Sequence, residues 1–417
     1  MHKMFKKWWF KWLIIGIAIR LILMPTTSHP DLWGHSFVAY FFAYKGELNI
    51  YQFLQNLPPS YPLVKNIGIS DIFIYPPLTY FTLGIFRWLV RPFVDPNFIP
   101  WLMENMSYVY TRKDLFSILF FFKLPYLFID VAAGFLLAGL FDDQKKKKLA
   151  FALWMINPVT LYATFMMGQL DILAVFFTIL SLYFAKKEKY VWSLVSLEIG
   201  GSYKMFPLLF IVPAALLFSF RLKDRIKNVA IGFLPFVITI IPYLNSPAFR
   251  NMVLFQAKDQ KMLYMVLPVT AAEGVYPFIL GLIVVYCLAY YAKNKSKLTD
   301  YFLAILLITF MVTDYHPQWF IWITPLFIYK MVQEKDKILF VVLMLTTWLI
   351  ITLLFEPSLS VGLFGPIIPA ARTFIGFNAI LAKHTDVYRF LSLVRSVFAG
   401  IAAFWLFGLF KNEKAPA

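Results

Sequence analysis

Apolar runs of about 15–25 residues recur from one end of the chain to the other, separated by short basic clusters and a few longer polar stretches. Each is long enough for a helix to cross a hydrocarbon core about 30 Å thick. Short alternating strands of the kind that build outer-membrane barrels do not occur. The pattern predicts an all-α polytopic membrane protein, a single transmembrane domain over 1–417. The predicted spans are 8–26, 114–141, 149–167, 170–186, 189–204, 205–220, 228–245, 272–292, 299–314, 316–331, 337–355 and 388–410.

Composition agrees. Of 417 residues, 60% are hydrophobic and only 15% charged, and mean hydropathy is +0.70. Soluble domains are nearer a quarter charged, so a soluble fold could not hide this much apolar surface. The net charge of +17 raises the question of nucleic acid. However, 23 of the 39 Lys and Arg residues sit in seven clusters between runs, which is how cytoplasmic loops are marked. No nucleic-acid partner is predicted. Cys287, the only cysteine, lies inside an apolar run, so neither an internal disulfide nor a zinc cluster is encoded. The basic N-terminus leads into an apolar run with no small-residue cleavage site, which reads as a retained signal anchor.

The clusters also set a threading. Lys3, Lys6, Lys7 and Lys11 precede the first run. DDQKKKK (142–148), KKEK (186–189), RLKDRIK (221–227), KNKSK (293–297), KMVQEKDK (330–337) and KNEK (411–414) follow later ones. Keeping all of them inside places both termini in the cytoplasm, the plasma membrane being the site if the cell is bacterial. Residues 27–112 become a long first extracytoplasmic loop. Segment 75–90 is apolar enough to cross, but crossing would expel DDQKKKK. It is read as an amphipathic or re-entrant helix on the outer face, starting at Pro76-Pro77. Arg87 and Arg91 are then placed to meet lipid phosphates.

On this threading the unusual polar groups gather on one face. TTSHPDLWGH (26–35) carries three of them. Asp31 is either an N-cap or a general base that takes a proton from an attacking hydroxyl. His29 is a hydrogen-bond partner of that carboxylate, a metal ligand or an interfacial histidine. His35 lies one helical turn beyond Asp31, in an orienting position. Gln169 and Asp171, in MMGQLDILAV, are a polar turn with an N-cap, or a second carboxylate facing Asp31. Lys204 is a snorkelling lysine, or the charge that neutralises a leaving phosphate. Asp314, His316 and Gln318, in DYHPQW, are an interfacial turn or phosphate and sugar contacts. Arg372, in PAARTF, is a lipid-phosphate candidate. Lys123 and Asp130, seven residues apart inside one run, are read as satisfying partners on neighbouring helices. Walker loops, GxGxxG after a strand, HEXXH and GxSxG are absent.

Five stretches occur in order: TTSHPDLWGH, YPPLTYF at 75–81, INPVTLYATFMMGQLD at 156–171, SYKMFPLLFIVP at 202–213 and DYHPQWFIWITP at 314–325. Together they resemble the GT-C superfamily of membrane glycosyltransferases. The chain is most similar to the bacterial polyprenyl-phosphate-sugar-dependent and the GPI-anchor mannosyltransferases. The resemblance reaches to about residue 330; residues 332–417 are less typical. It implies a GT-C-like fold and transfer of a sugar, mannose by family weighting, from a polyprenyl or dolichyl phosphate. The acceptor would be a hydroxyl on a glycan, glycolipid or protein, and the reaction would run on the extracytoplasmic side beside membrane lipids. Asp31 falls at the family's first-loop acidic motif, Asp171 in its GQ-x-D, and Lys204 and His316 in later motifs. The implied catalytic residues are Asp31 and Asp171. Lys204 and His316 are the implied donor contacts, and His29, His35, Tyr75, Gln169, Asp314, Gln318 and Arg372 join them as candidate donor and substrate contacts from the reading of the residues themselves. His29 stands where the family often has a first acid, and Leu32 follows Asp31. No cofactor is therefore required, with a divalent cation (Mg or Mn) kept open. A transporter or lipid flippase, or another lipid-linked transferase, stays open as a rival.

Overall fold

Nearly every apolar run forms a helix, and the runs break where proline, glycine or a capping side chain stops them. The computed structural model describes residues 7–68, 72–256, 259–292 and 294–411. Lys3, Lys6, Lys293 and 412–414 of the basic clusters lie outside the described residues.

Helix α1 (Phe10–Thr26) ends with Pro25 in its last turn and extended backbone at Thr27. The chain then bends by 84° into α2 (Asp31–Lys45), which stops at Gly46 in the left-handed conformation. Helix α3 (Pro77–Val90) starts at the predicted proline pair and lies along α2. The absent side chain of Gly84 admits the ring of Phe42 to this contact. With 14 residues, α3 is shorter than a span. Arg87 does not reach lipid phosphates: it is 7% exposed, its guanidinium seated on the ring of Phe122 at 3.1 Å.

Then come α4 (Leu115–Gly139), α5 (Gln144–Met155), α6 (Asp171–Lys186), α7 (Tyr190–Gly201), α8 (Ile211–Phe218) and α9 (Leu222–Ile240). They are followed by α10 (Pro277–Tyr291), α11 (Leu298–Val312), α12 (Thr324–Gln333), α13 (Ile338–Leu354) and α14 (Val387–Phe410). The only pairing of strands among the described residues is the two-residue ladder Leu267–Pro268 with Gly274–Val275. The protein is all-α. Among the described residues, five helical stretches are long and apolar enough to cross a membrane, or six if the bent α1–α2 pair counts as one. Several exposed large apolar side chains on α9, α13 and α14 fit contact with lipid.

Three interior charges, Arg20, Lys123 and Asp130, have polar partners. Arg20 on α1 meets Asp130 on α4 at 2.7 Å, both side chains 0% exposed, and also donates to the carbonyls of Gly16 and Met155. Lys123 donates to the carbonyls of Met24, Thr27, Phe165 and Met166. Lys123 and Asp130 do what the sequence suggested: they meet partners on neighbouring helices where an unpaired charge would be costly. Lys123 in particular gathers the end of α1 onto the segment after α5, which fixes the geometry of the site.

Candidate active site

Three chain breaks, the turn carrying His316 and a returning loop converge. The first is the bend between α1 and α2, which carries His29 and Asp31. The backbone N–H of Ser28 donates to Leu363 O at 2.9 Å. This brings the loop after α13, with Glu356, alongside His29.

The second is the end of α5. Asn157 caps a short turn, its side chain accepting from the N–H groups of Val159 and Thr160. The chain then widens into a π-helical turn over Leu161–Met166, a feature common at functional sites. Gly168 follows with φ +78°, and a Cβ there would meet Leu32 and Lys123 at 3.0 and 3.3 Å. This turn aims Gln169 so that its Nε2 donates to Asp31 Oδ2 at 2.6 Å.

The third is the turn after α7, which presents Lys204. Thr79 of α3 donates to the carbonyl of Tyr203 and so ties this turn to α3. Lys204 Nζ donates to Asp171 Oδ1 at 2.7 Å. It lies 5.4, 5.7 and 5.2 Å from the ring centres of Tyr75, Trp319 and Trp322. Trp322 Nε1 also donates to Asp171 Oδ1. Tyr75 is held by Tyr51, whose hydroxyl donates to its carbonyl. The turn carrying His316 is fixed by Trp348, which donates to Pro317 O.

These breaks enclose a cavity of about 630 Å³, within the usual range for small-molecule sites. Of the sequence-predicted residues, His29, Asp31, Tyr75, Lys204, His316 and Gln318 line it. Gln169 sits behind Asp31 and Asp171 behind Lys204, both 0% exposed; they position the two groups that face the cavity. Asp31 and Asp171 are the first residues inside α2 and α6, and the N-cap positions are held by Pro30 and Leu170. The N-cap alternative therefore fails for both.

His35 is buried beneath the site, its ring edge-on to Tyr75. Two predicted contacts are elsewhere. Asp314 pairs with Lys261 and Arg395, and Arg372 is exposed over the ring of Tyr110. Glu356, Trp319, Trp322 and Gln256 line the cavity and were not singled out in the sequence. Glu356 had a signal: it is the only acidic residue between Asp336 and Asp386 and directly follows an apolar run.

Electrostatics separate the polar groups. The Asp31 side chain is 44% exposed, while that of His29 is 8% exposed at 3.5 Å from it. Burial lowers the pKa of His29, more than Asp31 and Glu356 raise it. Its Nδ1 accepts the backbone N–H of Asp31 at 3.2 Å, so the neutral ring carries its proton on Nε2. Burial likewise brings His35 down to about 4. Asp31 thus faces the cavity beside two neutral imidazoles, steadied by one amide, and can accept a proton. Lys204 offers the cavity its positive charge, with Asp171 behind it.

A second cavity of about 550 Å³ lies nearby, walled almost entirely by apolar side chains of the π-turn, α13 and the loop after it. Tyr162 lines it and donates to Leu359 O at 2.8 Å, three residues from Glu356. Among the described residues no three His, Cys, Asp or Glu side chains are placed to hold a metal ion. No protein-family model matches the chain, and no curated protein matches it.

Proposed function

We propose that this membrane-embedded protein transfers a sugar from a polyprenyl-phosphate donor to a hydroxyl acceptor on the extracytoplasmic side. The observation that carries the proposal is the pairing of an accessible carboxylate, Asp31, with an aromatic-walled ammonium, Lys204, in one polar cavity beside an apolar groove. A lipid-phosphate sugar needs all three: a base for the acceptor, a cation for the leaving phosphate and an oily channel for the chain.

In the proposed reaction the acceptor oxygen attacks the anomeric carbon while Asp31 takes its proton. The bond from that carbon to the phosphate oxygen breaks, and its electron pair leaves with the lipid phosphate. Lys204 neutralises the charge that develops there. Because Lys204 already has Asp171 at its back, it is held in place before the donor arrives, and this pre-organisation lowers the barrier. Trp319 and Tyr75 offer aromatic faces to the sugar, and the Gln318 Oε1, which is buried without a hydrogen-bond partner, offers an acceptor. Gln169 holds Asp31 at the angle the attack needs.

The threading that goes with this reading has twelve spans, both termini in the cytoplasm and the cavity outside. It is supported by the basic clusters and by the gathering of the polar turns at one end of the bundle. The interior charges Arg20, Lys123 and Asp130 all have protein partners, which disfavours a transport path through them. The test supplies purified protein in lipid nanodiscs with radiolabelled polyprenyl-phosphate mannose, then other polyprenyl-linked sugars, and a pool of glycan and glycolipid acceptors. Label should move to an acceptor with wild type and not with Lys204→Met. Equal transfer by both would remove Lys204 from the mechanism. No transfer from any donor would return the weight to a transporter.

A further inference from the structure

Asp314 belongs to a different cavity, of about 220 Å³, where α13 and α14 pack against the end of α11. Its floor is apolar, with Phe310, Ile351 and Phe398. Its rim is not. Arg395 Nη2 donates to Asp314 Oδ1 at 2.7 Å and Lys261 Nζ to Asp314 Oδ2 at 3.1 Å. Two cations therefore share one carboxylate, leaving one positive charge in excess. Thr313 and Tyr315 line the same cavity and are 4% and 1% exposed. Their hydroxyl groups are buried without a hydrogen-bond partner, which is unfavourable for a polar group away from water.

A buried hydroxyl without a partner, beside surplus positive charge, asks for an anionic oxygen. The apolar floor asks for hydrocarbon. Near this cavity, α14 turns Leu393 and Val397 outward at 62% and 55% exposure, and α13 does the same with Leu349 at 49%. A ligand arriving here would come from the lipid phase rather than from water.

We propose that this cavity binds the phosphate of an anionic phospholipid. Arg395, Lys261 and the hydroxyls of Thr313 and Tyr315 would meet the phosphate, and an acyl chain would lie against α13 and α14. The site is linked to the first cavity. Lys261 adjoins Met262, which lines the first cavity, while Met265 lines this one. Drawing Lys261 away from Asp314 toward a phosphate shifts that shared wall.

The test is native mass spectrometry of the full chain in detergent, titrated separately with dioctanoyl phosphatidylglycerol, dioctanoyl phosphatidylcholine and inorganic phosphate. Phosphatidylglycerol should bind about tenfold tighter than phosphatidylcholine, and inorganic phosphate should not displace it. Arg395→Gln should abolish the difference. Should that variant fail to fold, Lys261→Gln and Thr313→Val, each removing one rim contact, should narrow it about threefold.

Asp314→Asn gives the deciding sign. It frees both cations and removes a repelling carboxylate, so phosphatidylglycerol binding should strengthen. A purely structural Asp314 would leave binding unchanged or weaken it, and that result overturns the proposal. Equal binding of the two lipids overturns it as well. Displacement by inorganic phosphate alone would show a free-anion site and overturn the lipid assignment.

Discussion

Asp171 and Lys204 form the ion pair on which the proposed leaving-group site is built, and removing either should be costly in a way that removing both is not. The Asp171 side chain is 0% exposed and that of Lys204 11%. Breaking a buried pair costs about 3–5 kcal/mol because the remaining charge is left uncompensated. Lys204→Met strands a fully buried carboxylate that keeps only the Trp322 indole, so the full range applies. Asp171→Asn strands an ammonium that still has a window to the cavity and three aromatic faces, each worth about 0.5–2 kcal/mol. Its cost should be nearer 2 kcal/mol. The double variant Asp171→Asn with Lys204→Met leaves no buried charge and should be more stable than Lys204→Met by about 2–3 kcal/mol. Thermal unfolding in one detergent, followed by tryptophan fluorescence, ranks the four proteins. Transfer should be absent in both Lys204 variants whatever their stability. Additive destabilisation in the double variant would refute the claim that these two charges compensate each other in a buried pair.

Three further outcomes follow from the same geometry. Gly168→Ala should cost about 1–2 kcal/mol from its left-handed backbone alone and, by displacing Gln169 from Asp31, should lower the turnover rate more than apparent donor affinity, as steady-state kinetics would show. Lys123→Met should destabilise by about 3 kcal/mol, since four carbonyls lose the ammonium at once; a chemical-denaturation midpoint close to wild type would contradict this. The third concerns pH. His35 is held at about 4 against an ordinary 6.5, so between those values the unfolded chain takes up a proton that the folded chain refuses. Its contribution is complete above pH 6.5 and is lost as pH falls toward 4, up to about 3 kcal/mol, and His29 acts in the same direction. His35→Gln should flatten this acid limb in unfolding curves recorded from pH 7 to pH 4.

The helices were legible because their apolar runs are long and their stops are chemical: the Pro76-Pro77 start of α3, Gly46 after α2, the Asn157 cap before the π-turn. The polar end of the bundle was legible too, since His29, Asp31, Lys204, His316 and Gln318 all fall in breaks between runs, where ionisable groups are tolerated. What the sequence could not supply is which loop folds back over which break. Asp314 and His316 are two residues apart, yet Arg395, 81 residues on, draws Asp314 to another cavity while His316 faces the first. Glu356 reaches the site because the loop after α13 is pinned through its backbone carbonyls, Leu363 O by the Ser28 N–H and Leu359 O by the Tyr162 hydroxyl, and acceptors of that kind leave no trace in the loop's own side chains. Arg87 read as a surface cation because nothing local announces the Phe122 ring beneath it. The roles of Gln169 and Asp171 were legible as polar chemistry near the site, but their position behind the cavity wall depends on the left-handed turn at Gly168.

The central claim is that Asp31 is the base of a sugar transfer, and its most direct test compares wild type with Asp31→Asn for transfer from a polyprenyl-phosphate sugar, each sample checked for an unchanged unfolding temperature. Asn keeps the shape and still meets the Gln169 amide but cannot take the acceptor's proton. A base at Asp31 requires a loss of about 10²–10⁴-fold in transfer rate with stability within about 1 kcal/mol of wild type. Full transfer activity in a normally folded Asp31→Asn protein would contradict it.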